Sequence, residues 1–276
     1  MLAAAILAAP GIPAFAATDK PISVGLHARN QGSSDTALQE HLNGSSSVTF
    51  RLRMFKTPEE LVDAFKAGEV DIARLGPLLY VKVRAELAVT PIVAENDRAT
   101  AVLFTKKESA IRATRDIAGK HLALGYDGSL TSHLIPLLLL SKAGIPIGSV
   151  SEDPKQLKTA PKGVLISFAG SHDKVIDLVL SGKADVGGIV DNVFERNVGR
   201  GLREIDRSES FPGAPFVARP NADPAVVAEF RRLMLAFKAP AGAERFADGL
   251  VSVEDKDYNK IRFLCQAVLR QSYLPK

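Results

Sequence analysis

Tryptophan is missing from these 276 residues, tyrosine occurs four times and cysteine once. So small an aromatic supply excludes a base-stacking platform or a sugar-stacking cleft, although 13 phenylalanines remain for a core. The single thiol, Cys265, excludes an intramolecular disulfide and leaves stability to burial. Its setting, Arg262 to Cys265, reads as the buried side of a C-terminal helix, and the sequence places no His or basic residue beside the thiol to make a reactive thiolate. No run of five like charges exists, and 35 basic against 31 acidic residues leave a dispersed net charge of +4. Nucleic-acid binders concentrate their basic residues, so no nucleic-acid partner is expected. The chain also lacks a G-x-S-x-G elbow, a Walker A loop and a G-x-G-x-x-G turn, and its five histidines show no pair at metal-ligand spacing. Neither a metal nor another cofactor is expected.

What is present describes a folded chain. Composition is 46% apolar and 24% charged, and at about 150 residues per domain the length suits two lobes or one large domain. Leu2 to Ala9 is an unbroken apolar run, followed by Pro10, Gly11 and Pro13 and then by Ala14-Phe15-Ala16, small residues where a signal peptidase reads. The run is shorter than the roughly 20 apolar residues that span a bilayer. Residues 1–17 are therefore expected to be a secretory signal, and no Cys follows the run to suggest a lipid anchor.

From Lys20 onward, short β-branched runs alternate with helical periodicity, the pattern of an α/β fold. Ile22 to His27 and Val48 to Phe55 read as strands, with a helix from Asp35 to Leu42 between them. Thr57, Pro58 and Glu60 then form a helix start ahead of Leu61, Val62 and Phe65, and Gly68 ends that helix before a strand at Val70 to Leu75. This unit recurs. "ELVDAFKAGEVDIARLGPLLYVKV" from Glu60 and "KVIDLVLSGKADVGGIVDNVFERN" from Lys174 both read helix, Gly, two residues, Asp, strand, loop, helix. Gly68 matches Gly182, Asp71 matches Asp185, and Gly76-Pro77 matches Val190-Asp191. The strand at Ile22 likewise has a partner at His121 to Gly125, followed by a helix from about Thr131 to Ala143. Two similar lobes follow, each a mixed sheet flanked by helices, joined by hinge strands, with the carboxyl ends of the strands facing one cleft. The link is expected at Ala101 to Lys107 and the return near Phe216 to Pro220. That puts lobe 1 at 18–103 plus 219–276 and lobe 2 at 104–218, with helices from Pro224 to Phe237 and from about Asp257 to Tyr273 completing lobe 1.

The candidate site lies in "GYDGSLTSHLIP", Gly125 to Pro136. Two glycines allow a tight turn, and Ser129, Thr131 and Ser132 present hydroxyls where a helix begins with unpaired N–H groups. Helix dipole, N–H donors and hydroxyls together make an anion-binding arrangement, while a simple N-cap by Ser129 or Thr131 is the plainer alternative. His172 begins the helix of the second repeat, where anion binding and imidazole protonation would be coupled. Asp191, with Asn192 beside it, can accept a hydrogen bond from a protonated ligand oxygen or amine, or can cap its own helix. Tyr80, one turn into the matching helix, can donate across the cleft. His27, Arg29 and Asn30 belong at the rim, and His41 and His121 read as surface and strand-edge residues.

These segments resemble the phosphate/phosphonate-type solute-binding proteins of ABC transporters, a branch of the type II periplasmic binding proteins. The likeness rests on "GEVDIARLGPLLYV", "IAGKHLALGYDGSLTSHLIPLLLLSKAGI", "GSHDKVIDLVLSGKADVGGIVDN" and "APFVARPNADP". It implies an exported, periplasmic, monomeric receptor that closes on a small oxyanion and presents it to an ABC transporter permease. It also implies that Ser129 and Thr131 match two serines of the family's S-T-S-G turn, His172 its histidine, and Asp191 or Asn192 its acidic position. Leu130 stands where the family has Thr, Ser132 where it has Gly, and a tyrosine expected before the crossover is replaced by nearby Arg98 or Thr100. The ligand then need not be a phosphonate. Two other readings remain at this stage: a sensing partner of a membrane signalling protein, and an enzyme using Ser129, His172 and Asp191.

Overall fold

A computed structural model describes residues 20–28, 33–44, 46, 48–151, 163–243 and 245–269. The expected leader at 1–17, together with Arg29 and Asn30, lies outside the described residues. The chain first runs through β1 (Ile22–His27), α1 (Ser33–Gly44), β2 (Phe50–Phe55), α2 (Pro58–Ala67), β3 (Ile72–Arg74), α3 (Pro77–Glu86) and β4 (Thr90–Glu95). It then builds β5 (Ala101–Lys106), β6 (His121–Leu124), α4 (Ile135–Lys142), β7 (Ile147–Ser151), β8 (Val164–Phe168), α5 (His172–Leu180), β9 (Val186–Val190), α6 (Asp191–Asn197) and β10 (Leu202–Arg207). It returns through β11 (Pro215–Ala218), α7 (Pro224–Ala236), β12 (Leu250–Ser252) and α8 (Asn259–Leu269). Local chemistry sets the boundaries, as α2 illustrates. Thr57 Oγ1 accepts the Glu60 N–H at 3.1 Å, Pro58 occupies the first turn, where no N–H is needed, and Gly68 closes the helix.

Two mixed sheets result, in the orders β12-β4-β11-β3-β1-β2 and β10-β5-β9-β6-β8-β7. Five strands of one match five of the other in order: β4-β11-β3-β1-β2 corresponds to β10-β5-β9-β6-β8. In each sheet one strand is parallel to both neighbours, β1 to β2 and β3, β6 to β8 and β9. The next strand, β11 or β5, is antiparallel, and each is the first strand after the chain has crossed between lobes.

The crossings fall at 96–100 and 208–214, not at the segments expected from sequence. Ala101–Phe104 pairs with Gly187–Val190 and is sealed from solvent, so this apolar run is an interior strand of the second sheet. Phe216–Ala218 is likewise an interior strand of the first. The outgoing crossing is polar and touches water, whereas the returning one buries Phe211 and Ala214; the interior strands beside them carry the longer apolar signal. The two crossings are laid together by an antiparallel bridge between Ala99 and Phe211, and Ser208 Oγ accepts the Ala101 N–H at 2.9 Å.

The repeated aspartates explain themselves in this frame. Asp71 accepts the Ser23 N–H at 2.8 Å and the Ser23 hydroxyl at 2.7 Å, fastening β3 to the start of β1. Asp185 accepts the His121 N–H at 2.9 Å, fastening β9 to the start of β6 in the same way. Gly68 and Gly182, at the matching helix ends, both take positive φ, 85° and 73°.

Apolar clusters fill both faces of each sheet. One packs α1 and α7 on the first sheet around Phe50, Phe216 and Phe230, and others pack α4 and α5 on opposite faces of the second. The remaining cluster joins the lobes, since Leu130, Leu134 and Ile135 from the second share it with Leu78 of α3 and with Ile261, Leu264 and Cys265 of α8. Cys265 is buried as expected, and burial pushes its thiol above the ordinary range. Because Asp71 is half-buried with two accepted bonds while Asp185 is exposed with one, the two sites should differ in denaturant titration. Asp71→Ala is expected to cost about 1–3 kcal/mol and Asp185→Ala about 0.5–1.5 kcal/mol.

Candidate functional site

The site is best built from Pro136. Proline has no N–H, so the carbonyl four residues earlier, that of Ser132, loses its helical donor. That carbonyl accepts the Gly125 N–H instead, at 3.1 Å, which draws the end of β6 against the helix start. The first turn widens to compensate: Leu130–Leu134 is a π-helical turn, with the Leu134 N–H reaching back to Ser129 O at 3.0 Å. The Gly125 carbonyl in turn accepts the Gly170 N–H at 2.6 Å, fixing the loop after β8 beside the loop after β6. Gly125 is required here, because a Cβ would lie 2.3 Å from Ser132 Oγ.

Ser129 caps the turn, its hydroxyl oxygen accepting the Ser132 N–H at 3.1 Å. Thr131 is half-buried on the same turn. By helix geometry, the N–H groups of Leu130 and Thr131 have no intrahelical acceptor. Ser132, expected to face a ligand, is fully sealed beneath Gly125, and its hydroxyl has no hydrogen-bond partner among the described residues. Leu130, the departure from the family turn, points its apolar group into the cluster shared by the lobes. His133, to which the sequence reading gave no role, is buried edge-on to Phe168, and its Nδ1 lies 3.2 Å from the Gly128 N and 3.0 Å from Asp127 Oδ1. The hydrogen bond with His133 holds the Asp127 carboxyl below its ordinary range.

His172 stands at the first position of α5, after Ser171, whose hydroxyl caps that helix by accepting the Lys174 N–H at 3.3 Å. Asp191 follows β9 and is fixed at the hinge: its Oδ2 accepts the Thr100 hydroxyl at 2.8 Å and lies 3.9 Å from Arg207 Nη1. Its Oδ1 accepts the N–H of exposed Asn192 at 2.9 Å. Since β8, β6 and β9 are adjacent and parallel, Ser129, Thr131, His172 and Asp191 all stand at one carboxyl edge of the second sheet.

Tyr80 does not face the cleft. It is fully buried in the first lobe, edge-on to Tyr258 at 4.7 Å, and its hydroxyl donates to Asp255, which also pairs with Arg262 at 2.5 Å. Burial and the Asp255 carboxylate together push this phenol well above its ordinary range. The one-turn spacing placed it on a helix face correctly but could not say which face the core claims. Arg98, offered in place of the missing tyrosine, donates to Ser210 across the paired crossings. His41 and His121 lie away from the edge: His41 Nε2 is 2.8 Å from Leu233 O between α1 and α7, and His121 opens β6.

The first lobe's edge holds what the sequence reading missed. Arg74, the last residue of β3, is buried and forms a bidentate pair with buried Glu95, Nε to Oε1 at 2.8 Å and Nη2 to Oε2 at 2.6 Å. Burial works against the Arg74 charge, and the Glu95 carboxylate outweighs it, so the guanidinium stays charged. A lone charge inside an apolar strand was the available signal, since a buried arginine demands a partner.

The description "ABC transporter, phosphonate, periplasmic substrate-binding protein" belongs to the family model that matches residues 34–258. The chain is a member of that family. It is therefore a substrate-binding protein of an ABC transporter of the phosphonate/phosphate class, and not an enzyme. The phosphate-import protein PhnD of Mycolicibacterium smegmatis is 26% identical over 237 residues, covering 74% of this chain and 71% of the relative. A probable phosphite-binding PhnD1 of Prochlorococcus marinus is 26% identical over 159 residues, 54% of this chain and 50% of the relative. The fold agrees: PhnD1 of Prochlorococcus marinus, solved with methylphosphonate, superposes with a TM-score of 0.73 at 18% identity, covering 91% of this chain and 99% of that one. A phosphonate-transporter binding component from Pseudomonas aeruginosa gives 0.69 at 18% identity, covering 91% and 88%. The family member described here has the type II periplasmic binding architecture in both lobes.

Gly125→Ala tests the junction that sets the helix start. A Cβ 2.3 Å from Ser132 Oγ and 2.9 Å from Ser132 Cβ pushes the end of β6 off the helix turn, and overpacking of this kind costs about 1–3 kcal/mol. Differential scanning calorimetry should show the melting temperature lowered by several degrees.

Proposed function

We propose that this substrate-binding protein captures a small oxyanion, phosphate or a phosphonate or a close relative, between its two lobes. The N-terminal turn after β6 would hold the anion through the Thr131 hydroxyl and the N–H groups of Leu130 and Thr131, with Ser129 capping the turn. His172 and Asp191 would complete the second-lobe wall, with Asn192 at its rim. Arg29, which follows β1 in sequence and lies outside the described residues, remains a candidate contact. The observation that carries the reading is the position of that helix start. It opens at the middle strand of the second sheet's carboxyl edge, between the loops after β8 and β9, with donors its own helix does not use. The relatives' association with phosphate import, phosphite binding and methylphosphonate supports the ligand class. Export with cleavage at or near Ala17, delivery to a permease and a monomeric state belong to the same proposal.

If the hydroxyl of Thr131 makes a charge-assisted bond to a desolvated anion, its loss removes about 1.5–3 kcal/mol of binding. Calorimetric titration of Thr131→Ala with inorganic phosphate and methylphosphonate should then show affinity lowered about tenfold to a hundredfold. Unchanged affinity with a lowered melting temperature would make the hydroxyl structural. Binding should also close the lobes about the paired crossings, so small-angle scattering with saturating ligand should give a smaller radius of gyration than without. N-terminal sequencing of protein recovered from the cell envelope should begin at or near Ala17.

A further inference from the structure

We propose that Arg74 is a specificity-determining residue, the first lobe's cationic contact to the bound oxyanion, with Glu95 holding it in place and tempering its charge. The inference rests on the anion-site reading above and adds a contact from the opposite lobe.

Three segments meet at this guanidinium. Arg74 ends β3, at the carboxyl edge where open α/β sheets bind ligands, and is followed directly by Leu75, Gly76 and the start of α3. Its register partner Phe216 belongs to the strand that returns from the second lobe. Across the lobes, a Cβ built on Gly128 of the second lobe's loop would lie 3.6 Å from Leu79 Cδ2 in α3, the helix that starts three residues after Arg74. Gly128 belongs to the loop that leads directly into the Leu130–Leu134 turn. Arg74 therefore stands opposite the N-terminal turn rather than on the far side of the first lobe. Gly213 of the returning crossing closes the other side, so near that a Cβ would lie 2.2 Å from Glu95 O and 2.6 Å from Asp97 Oδ1.

Glu95 occupies only the Nε and Nη2 edge of the guanidinium. Among the described residues, Nη1 donates to none. Arginine's planar fork can satisfy one carboxylate along one edge and offer the remaining N–H groups to a second oxyanion. A buried ion pair stabilises a fold weakly compared with apolar side chains of the same volume. Its placement at the ligand edge therefore calls for a role besides stability.

A charge role and a packing role predict opposite signs. Glu95→Gln keeps an acceptor for Arg74 Nε and removes the competing negative charge, so calorimetry with inorganic phosphate should show binding about threefold tighter or more. Arg74→Gln/Glu95→Gln replaces the pair with neutral amides and should bind phosphate and methylphosphonate about tenfold weaker or more, its melting temperature staying within a few degrees of the wild type. Weaker or unchanged binding by Glu95→Gln would overturn the proposal, even if the double variant fails to fold. Thr131→Ala, titrated alongside, separates the two readings: loss there with a wild-type response in both Glu95 variants would leave the helix-turn site standing and remove Arg74 from it. The expected signs at Glu95 with unchanged binding in Thr131→Ala would do the reverse.

Discussion

Two strands of chain lie side by side between the lobes, bridged at Ala99 and Phe211, and everything that the cleft presents is positioned from them. Each crossing feeds an antiparallel strand into the neighbouring sheet, and that strand pairs with the one whose carboxyl end reaches the cleft, β5 with β9 and β11 with β3. The register Ala101 to Val190 brings Asp191 to Thr100, and Phe216 to Arg74 brings Arg74 to the returning chain. A rotation about the crossings therefore carries a ligand-edge residue from each lobe without altering the pairing within either sheet.

Polar groups at the ligand edge are secured in two ways. On the second lobe, backbone bonds do most of it: Gly125 is tied through both its N–H and its carbonyl, and Pro136 creates the acceptor that makes the first tie. On the first lobe, charge does it, through the Arg74 and Glu95 pair and through Arg245, which donates to His27 O and lies 3.6 Å from Asp35. On the proposed reading, backbone ties leave the Thr131 hydroxyl and the first N–H groups of the turn to meet an anion. Ion pairs hold a charge ready but must share it.

Between the lobes an apolar seam runs alongside these polar walls. Leu130 and Leu134 lie one helical turn apart on the turn after β6 and enter the same cluster as Leu78 and α8. Leu130 thus contributes packing where the family turn has a hydroxyl, which is why the N–H groups and Thr131 carry the anion reading here.

Much of this was legible in the residues. The internal repeat pointed to two similar lobes, and Asp71 and Asp185 make the same bond in each. The clustering of Ser129, Thr131, His172 and Asp191 at one edge followed from their places after parallel strands. Side-chain direction did not follow. Ser132 and Thr131 are adjacent hydroxyls on one turn, yet the close approach of Gly125 seals the first and leaves the second half-buried. Tyr80 was drawn into the core by Tyr258 and Asp255, which are distant in sequence. Arg74 acquired a partner 21 residues away across an intervening strand that comes from the far end of the chain. Periodicity and capping are local and are written in neighbouring residues; which face a polar group turns to is decided by partners that only the folded chain brings within hydrogen-bond distance.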